Sequence, residues 1–253
     1  MVDDVAKFDG LAEDYDRSRP RYPRELFSKA MTLIPPSITL SILDAGAGTG
    51  IALEGLLPLL PVNSLVRAAD ISTDMVGIGR RKFPDVVWSV GSAEQLLEGS
   101  HDVDLVVAAQ AYQWMDRPRF VQAARRAVRP GGVCMIVQNN RHFQAGGFVA
   151  AYEDMLEEYS PGYERSYRAI DIASELGAAF EQVERLSVSW EQHLSVEEFV
   201  TMCSSSTQAQ RAVASHGPVF LHRVRDLAAI YAARGGSVTV PYIAEGYYGS
   251  AGA

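Results

Sequence analysis

The chain has little cysteine, little lysine and no long apolar run, and each shortage closes off a class of protein. Cys134 and Cys203 are its two cysteines among 253 residues. Neither has a second cysteine or a histidine at metal-ligand spacing, so neither a disulfide nor a zinc site is expected. Cys134 lies in the apolar run 132–137, where a thiol serves as a small buried hydrophobe. No stretch approaches the roughly 18 uninterrupted apolar residues of a membrane helix. The start, Met1-Val2-Asp3-Asp4, lacks the basic region and apolar core of a secretory signal. The expectation is a cytoplasmic protein with no membrane partner. Positive charge is also scarce, with 23 basic residues against 31 acidic ones and a net charge of −8. Lys7, Lys29 and Lys82 are the only lysines, and the arginine clusters at 17–21, 80–81 and 125–126 are short. Nucleic-acid binders neutralise phosphates with a positive stripe. None is legible here, so no nucleic-acid partner is expected.

What is present reads as an α/β domain. Hydrophobic residues make up 47% of the chain and charged ones 21%, enough for a sizeable core. Short apolar runs alternate with helical patterns through the first half, the signature of a parallel sheet with crossover helices. Strands are predicted at 40–43, 65–69, 86–90, 103–108 and 133–137. Helices are predicted at 23–33, 51–60, from 73 onward, and at 118–128. The run 103–108 shows no polar alternation, as when both sheet faces are covered. Beyond Asn140 the order changes. Helices are predicted at 148–159, 167–179, 195–203 and 209–233, with strands at 183–190 and 237–243. The division expected is 1–140 as a nucleotide-binding core with an N-terminal lid, and 141–253 as a helical insertion plus the last two strands.

The sharpest local signal is Asp44-Ala45-Gly46-Ala47-Gly48-Thr49-Gly50, between a predicted strand and a predicted helix. Glycines at 46, 48 and 50 allow a tight turn and close approach of the backbone to a ligand, with free N–H groups of the helix start behind them. The dinucleotide fingerprint is GxGxxG, whereas these glycines read GxGxG. Asp70 ends the second predicted strand, where a carboxylate can accept both hydroxyls of a ribose. A helix-capping role is the alternative, since Ser72 and Thr73 follow.

The segment 44–50 resembles motif I of class I S-adenosylmethionine-dependent methyltransferases, and Asp70 matches their ribose-binding acid. Gly91-Ser92-Ala93-Glu94-Gln95-Leu96 is similar to the family's G-D-A-E-x-L stretch, with Ser92 in place of the usual Asp. Ala109-Gln110-Ala111-Tyr112-Gln113-Trp114-Met115-Asp116 resembles the A-Q-A-x-H-W-x-D loop, with Gln113 where His is common. Arg129-Pro130-Gly131-Gly132 is a further family hallmark. The lead-in Tyr15–Pro23 and the tail 236–242 are similar to the trans-aconitate methyltransferase-like, or methyltransferase type 11, subgroup. The resemblance implies a doubly wound, mostly parallel seven-stranded sheet with an inserted helical cap, and S-adenosylmethionine as cofactor. It implies a cofactor site built from Tyr15, Arg19, Asp44, Ala45, Gly46, Gly48, Asp70, Ile71, Ser92, Ala93 and Gln110. In that site Ile71 lies on the adenine face, Ser92 and Ala93 read the adenine edge, and Gln110 reaches the amino-acid portion. Tyr15 and Arg19 meet the methionine carboxylate, unless their segment is only a surface turn set by Pro20 and Pro23.

The activity implied is methyl transfer, by displacement at the sulfonium methyl, to a small molecule such as a carboxylate or a natural-product intermediate. Gln113, Trp114 and His142 are the candidate catalytic residues. With glutamine at 113 the loop holds no histidine, which points to catalysis by proximity and no committed base. Arg141 is best placed to grip a carboxylate acceptor. Tyr163, Tyr167, His193, His216, His222 and Tyr242 are further candidates for the pocket wall. Two alternatives remain open at this stage: a nicotinamide-dinucleotide oxidoreductase, and a same-fold protein catalysing a cyclisation or rearrangement. Monomer and homodimer are equally compatible with the sequence.

Overall fold

The structure, a computed structural model, describes residues 12–252. Seven strands form one sheet in the order β3-β2-β1-β4-β5-β7-β6. They are β1 (Ser41–Ala45), β2 (Leu65–Asp70), β3 (Val87–Val90), β4 (Val103–Ala109), β5 (Val128–Arg141), β6 (Gln182–Ser195) and β7 (Ser237–Ser250). The pairs among β1 to β5 are parallel. β7 runs antiparallel to both its neighbours. This is the mixed, doubly wound sheet expected from the sequence.

The apolar runs of β1 and β4 are buried on both faces because consecutive strand residues point to opposite sides. Ile42, Leu105 and Val107 face a core shared with α2 (Arg24–Leu33), α3 (Ile51–Leu56) and α4 (Thr73–Lys82). Leu43, Val106 and Ala108 face a second core under α5 (Ala93–Glu98), α6 (Arg117–Ala127) and α8 (Ile172–Gly177). A third cluster joins α7 (Gly147–Tyr159), α9 (Val196–Ser204), α10 (Thr207–His216) and α11 (Val219–Tyr231) to Val238, Val240 and Tyr242 at the start of β7. The helical cap is thus carried on strands that continue out of the sheet. Cys134 and Cys203 are buried thiols. Among the described residues no helix is long and apolar enough to cross a membrane.

Three of the boundaries that differ from expectation have a clear local reason. The helix expected at 209–233 is two helices, because Gly217 takes a positive φ of 67° and Pro218 follows; proline cannot supply the next helical N–H. The helix expected at 167–179 is confined to α8, which starts where the Asp171 side chain accepts from the Ser174 N–H at 3.1 Å. Residues 160–171 stay irregular, and Tyr167 and Arg168 turn into a cavity. The last strand runs on to Ser250 through Gly246 and Gly249. A Cβ on Gly246 would stand 2.2 Å from the Tyr248 hydroxyl, which donates to the Leu26 carbonyl at 2.9 Å. The two glycines that weaken the strand signal are therefore packing requirements.

Candidate active site

A cavity of about 290 Å³ opens at the carboxyl ends of β1, β2 and β4 and runs under the helical cap. Ligands of open α/β sheets bind at this edge. The glycine turn forms its floor. The N–H groups of Gly46 and Ala47 both donate to the Ala69 carbonyl at 2.9 Å, tying the turn to β2. Gly46 (φ 72°), Gly48 (φ 56°) and Gly50 (φ 84°) all lie in the left-handed region, where a side chain is strained. At Gly46 space forbids one as well, since a Cβ would meet the Ala111 Cβ at 2.6 Å.

Two carboxylates stand over this floor in different states. Asp70 accepts from the N–H of Gly48 at 2.8 Å and of Ser72 at 2.9 Å. Burial raises its pKa, and those backbone N–H groups oppose the rise. The cap of α4 is Ser72, which accepts from Met75 N–H, so Asp70 retains its place on the cavity wall. Asp44 is fully buried and neither of its oxygens has a hydrogen-bond partner. Burial, and then the neighbouring Asp70 charge, pushes its pKa up to about 7. An orphaned buried carboxylate is costly unless a cation meets it.

The remaining wall comes from three loops. Ile71 is 45% exposed beside Asp70, an apolar face at the cavity edge. Ser92 and Ala93 line the cavity. The Ser92 hydroxyl also caps α5 by accepting from Gln95 N–H, and the Gln95 side chain accepts from Ser92 N–H. After β4, Gln110 is held at a positive φ of 55°. Its side-chain nitrogen donates to the Asn139 carbonyl at 2.5 Å, leaving its buried side-chain oxygen without a partner. Backbone strain of this sort concentrates at functional positions. Gln113 donates to the Gln110 carbonyl at 3.0 Å. The Trp114 ring lies 6.2 Å from that of Tyr167.

The lead-in segment closes the mouth. Arg19, Pro20 and Tyr22 line the cavity. α1 (Ala12–Ser18) is tied down through Asp16, whose carboxylate accepts from Thr49 at 2.5 Å and Lys82 at 2.6 Å. Arg21 donates to Glu54 at 2.8 Å. Tyr15 lies in α1, and its side chain is outside the described residues. Ala45 is wholly buried in the sheet and off the cavity wall. His142 is also off the wall, and its N–H donates to the Pro241 carbonyl at 2.8 Å. The reason is that β5 ends at Arg141, which reaches the cavity, while His142 leads the chain into the turn at 143–145.

Of the further wall candidates, Arg141, Tyr167 and Tyr242 reach the cavity. His193 instead bonds Thr239, His216 packs on Tyr159, and Tyr163 donates to Glu153. Arg168, Tyr152 and Gln208 also line the cavity and were not anticipated. Arg168 was hidden inside a misread helix. Gln208 follows a serine-rich loop whose position over the sheet no local pattern encodes.

Residues 42–132 match the family described as "Methyltransferase domain". An uncharacterized methyltransferase of Mycobacterium bovis is 30% identical over 232 residues, covering 90% of this chain and 89% of that protein. A solved structure assigned as a type II methyltransferase of Anaeromyxobacter dehalogenans has a TM-score of 0.67 at 25% identity, covering 92% of this chain and 97% of that one. Phosphoethanolamine N-methyltransferase 2 of Haemonchus contortus, solved with S-adenosyl-L-methionine, shares the fold with a TM-score of 0.60 at 14% identity, covering 100% of this chain and 61% of that one. The chain belongs to the class I S-adenosylmethionine-dependent methyltransferases. It is an enzyme with S-adenosylmethionine as its cofactor, and the dinucleotide oxidoreductase alternative falls away. The residues present fit that cofactor, since the bare Asp44 carboxylate suits an ammonium and the Gly46 turn leaves room for no side chain.

Proposed function

We propose that this methyltransferase acts on a small-molecule acceptor seated between the glycine turn and the helical cap. The observation that carries the reading is the continuity of the cavity, from Asp44 and Asp70 at one end to Arg141, Arg168 and Tyr242 at the other. In this reading Asp44 meets the cofactor ammonium and Asp70 the ribose hydroxyls. Ile71 lies against the adenine, Ser92 and Ala93 meet its edge, and the Gln110 side chain faces the amino-acid portion. Arg19 meets the methionine carboxylate. When bound, the cofactor would supply a methyl group on a sulfonium for in-line transfer to the acceptor, its sulfur departing as the neutral thioether of S-adenosylhomocysteine.

The protein contributes position and dryness. Trp114 and Tyr167 close one side of the cavity, and the lead-in segment closes another. Gln113, whose side-chain nitrogen is committed to Gln110, holds the loop and takes no proton. An acceptor that is already nucleophilic needs no base. His142, off the wall, is not assigned a catalytic role.

The test is thermal shift followed by product mass. S-adenosylhomocysteine is expected to stabilise the protein and NADH is not; the reverse would overturn the reading. Incubation with S-adenosylmethionine and fractionated small-molecule extracts is expected to give a product heavier by one methyl for hydrogen. A product of unchanged mass would instead point to cyclisation or rearrangement.

A further inference from the structure

The cap end of the cavity holds a guanidinium that no carboxylate of the described residues answers. Arg19, Arg141 and Arg168 all line it. Arg141 is already paired, its Nε donating to Glu153 at 2.7 Å, and Glu153 also accepts from the Tyr163 hydroxyl. The charge of Arg141, the side chain expected to grip a carboxylate, is therefore answered within the protein through its Nε. Arg168 has only neutral partners. One terminal nitrogen donates to the Asn140 side-chain oxygen at 2.9 Å, and the guanidinium lies 4.7 Å from the centre of the Tyr167 ring. Its Nε is buried without a hydrogen-bond partner. Among the described residues no carboxylate pairs with it. Burial lowers its pKa, and Arg141 and Arg19 add repulsion, yet a guanidinium stays charged at neutral pH.

We infer that Arg168 recognises a carboxylate on the methyl acceptor. This rests on the methyltransferase reading above and deepens it. A planar guanidinium with a free edge matches a carboxylate in a two-point grip, which a point charge does not reproduce. Asn140 and the Tyr167 ring hold that edge in place before the acceptor arrives. The charge balance agrees. Glu153 answers Arg141, while among the described residues no carboxylate answers Arg168, so this guanidinium is left for an acceptor carboxylate. Beside Arg168, Tyr242 stacks on Trp190 with ring planes 15° apart, giving a flat apolar wall for the body of the acceptor.

The experiment uses the full chain saturated with S-adenosylhomocysteine and titrated with sodium acetate, acetamide or inorganic phosphate at constant ionic strength. Binding is followed by calorimetry. Acetate is the smallest carboxylate, so steric mismatch with an unknown acceptor does not intrude. We expect acetate to bind with a dissociation constant on the order of millimolar, as befits so small a ligand. Acetamide and phosphate are expected to bind at least about tenfold more weakly, for want of the paired charge or of the planar match. Arg168→Gln is expected to weaken acetate by about tenfold or more while holding S-adenosylhomocysteine affinity within about twofold. Arg168→Lys is expected to fall between the two, which guards against a folding defect in the glutamine variant. Four results would overturn the inference: no acetate binding by the wild type, preference for phosphate, acetate affinity indifferent to Arg168, or loss of cofactor affinity in both variants. Failure of the wild type to bind S-adenosylhomocysteine at all would count instead against the methyltransferase reading.

Discussion

Asp44 is buried with two empty carboxylate oxygens and a pKa pushed up to about 7. Near neutral pH the ligand-free protein therefore holds Asp44 about half protonated. An ammonium placed against it favours the ionised form, so cofactor binding must expel the proton still bound. The apparent affinity for S-adenosylhomocysteine then falls as pH drops through the ligand-free pKa. From about pH 7.5 to about pH 6 the decline is about eightfold, or about 1.2 kcal/mol. Calorimetry in two buffers of different ionisation enthalpy should show about half a proton released at pH 7 and close to one at pH 6. Asp44→Asn should flatten the dependence and weaken binding across the range. The same residue makes a stability statement of definite sign. Its folded pKa exceeds the ordinary 3.8, so the folded state binds more protons than the unfolded between those values. Stability must fall as pH rises through that window, by up to about 4 kcal/mol. Ligand-free Asp44→Asn should therefore melt higher than the wild type at pH 8. A wild-type affinity that is flat between pH 6 and 7.5 would refute the assignment, and a dependence that survives in Asp44→Asn would refute it and point to Asp70.

Three further outcomes are expected. Asp70→Ala should weaken S-adenosylhomocysteine binding by about 1–3 kcal/mol in calorimetry, through loss of charge-assisted hydrogen bonds, and lower the melting temperature because Gly48 and Ser72 N–H groups lose their acceptor. An unchanged affinity would contradict a ribose role. Gly46→Ala combines a left-handed φ with a Cβ 2.6 Å from Ala111 and should cost about 1–3 kcal/mol in denaturant unfolding, with cofactor affinity falling in parallel. Gly249→Ala places a Cβ 2.8 Å from the Phe180 ring, off the cavity wall. Overpacking there should cost about 1–3 kcal/mol and leave cofactor affinity nearly intact, which separates a packing glycine from a binding one.

The sequence by itself determined the cofactor and the glycine-turn end of the cavity wall. Asp44 to Gly50, Asp70, Ser92 and Gln110 each lie at a strand end or within a few residues past one, so local strand, turn and helix signals point to one sheet edge. Strand boundaries in the first half were legible for the same reason, because a strand buried on both faces must be apolar throughout. The cap end of the cavity was decided by tertiary structure. Arg168 sits 27 residues after Arg141 in a segment that reads as helix. Glu153, on α7, neutralises the arginine that sequence favoured and leaves the other exposed to the cavity. His142 and Arg141 are adjacent in sequence but only Arg141 reaches the cavity, since the strand ends between them and His142 leads into the next turn. Which charges are paired depends on distances between elements far apart in the chain, and the pattern of residues along any one element does not carry that information.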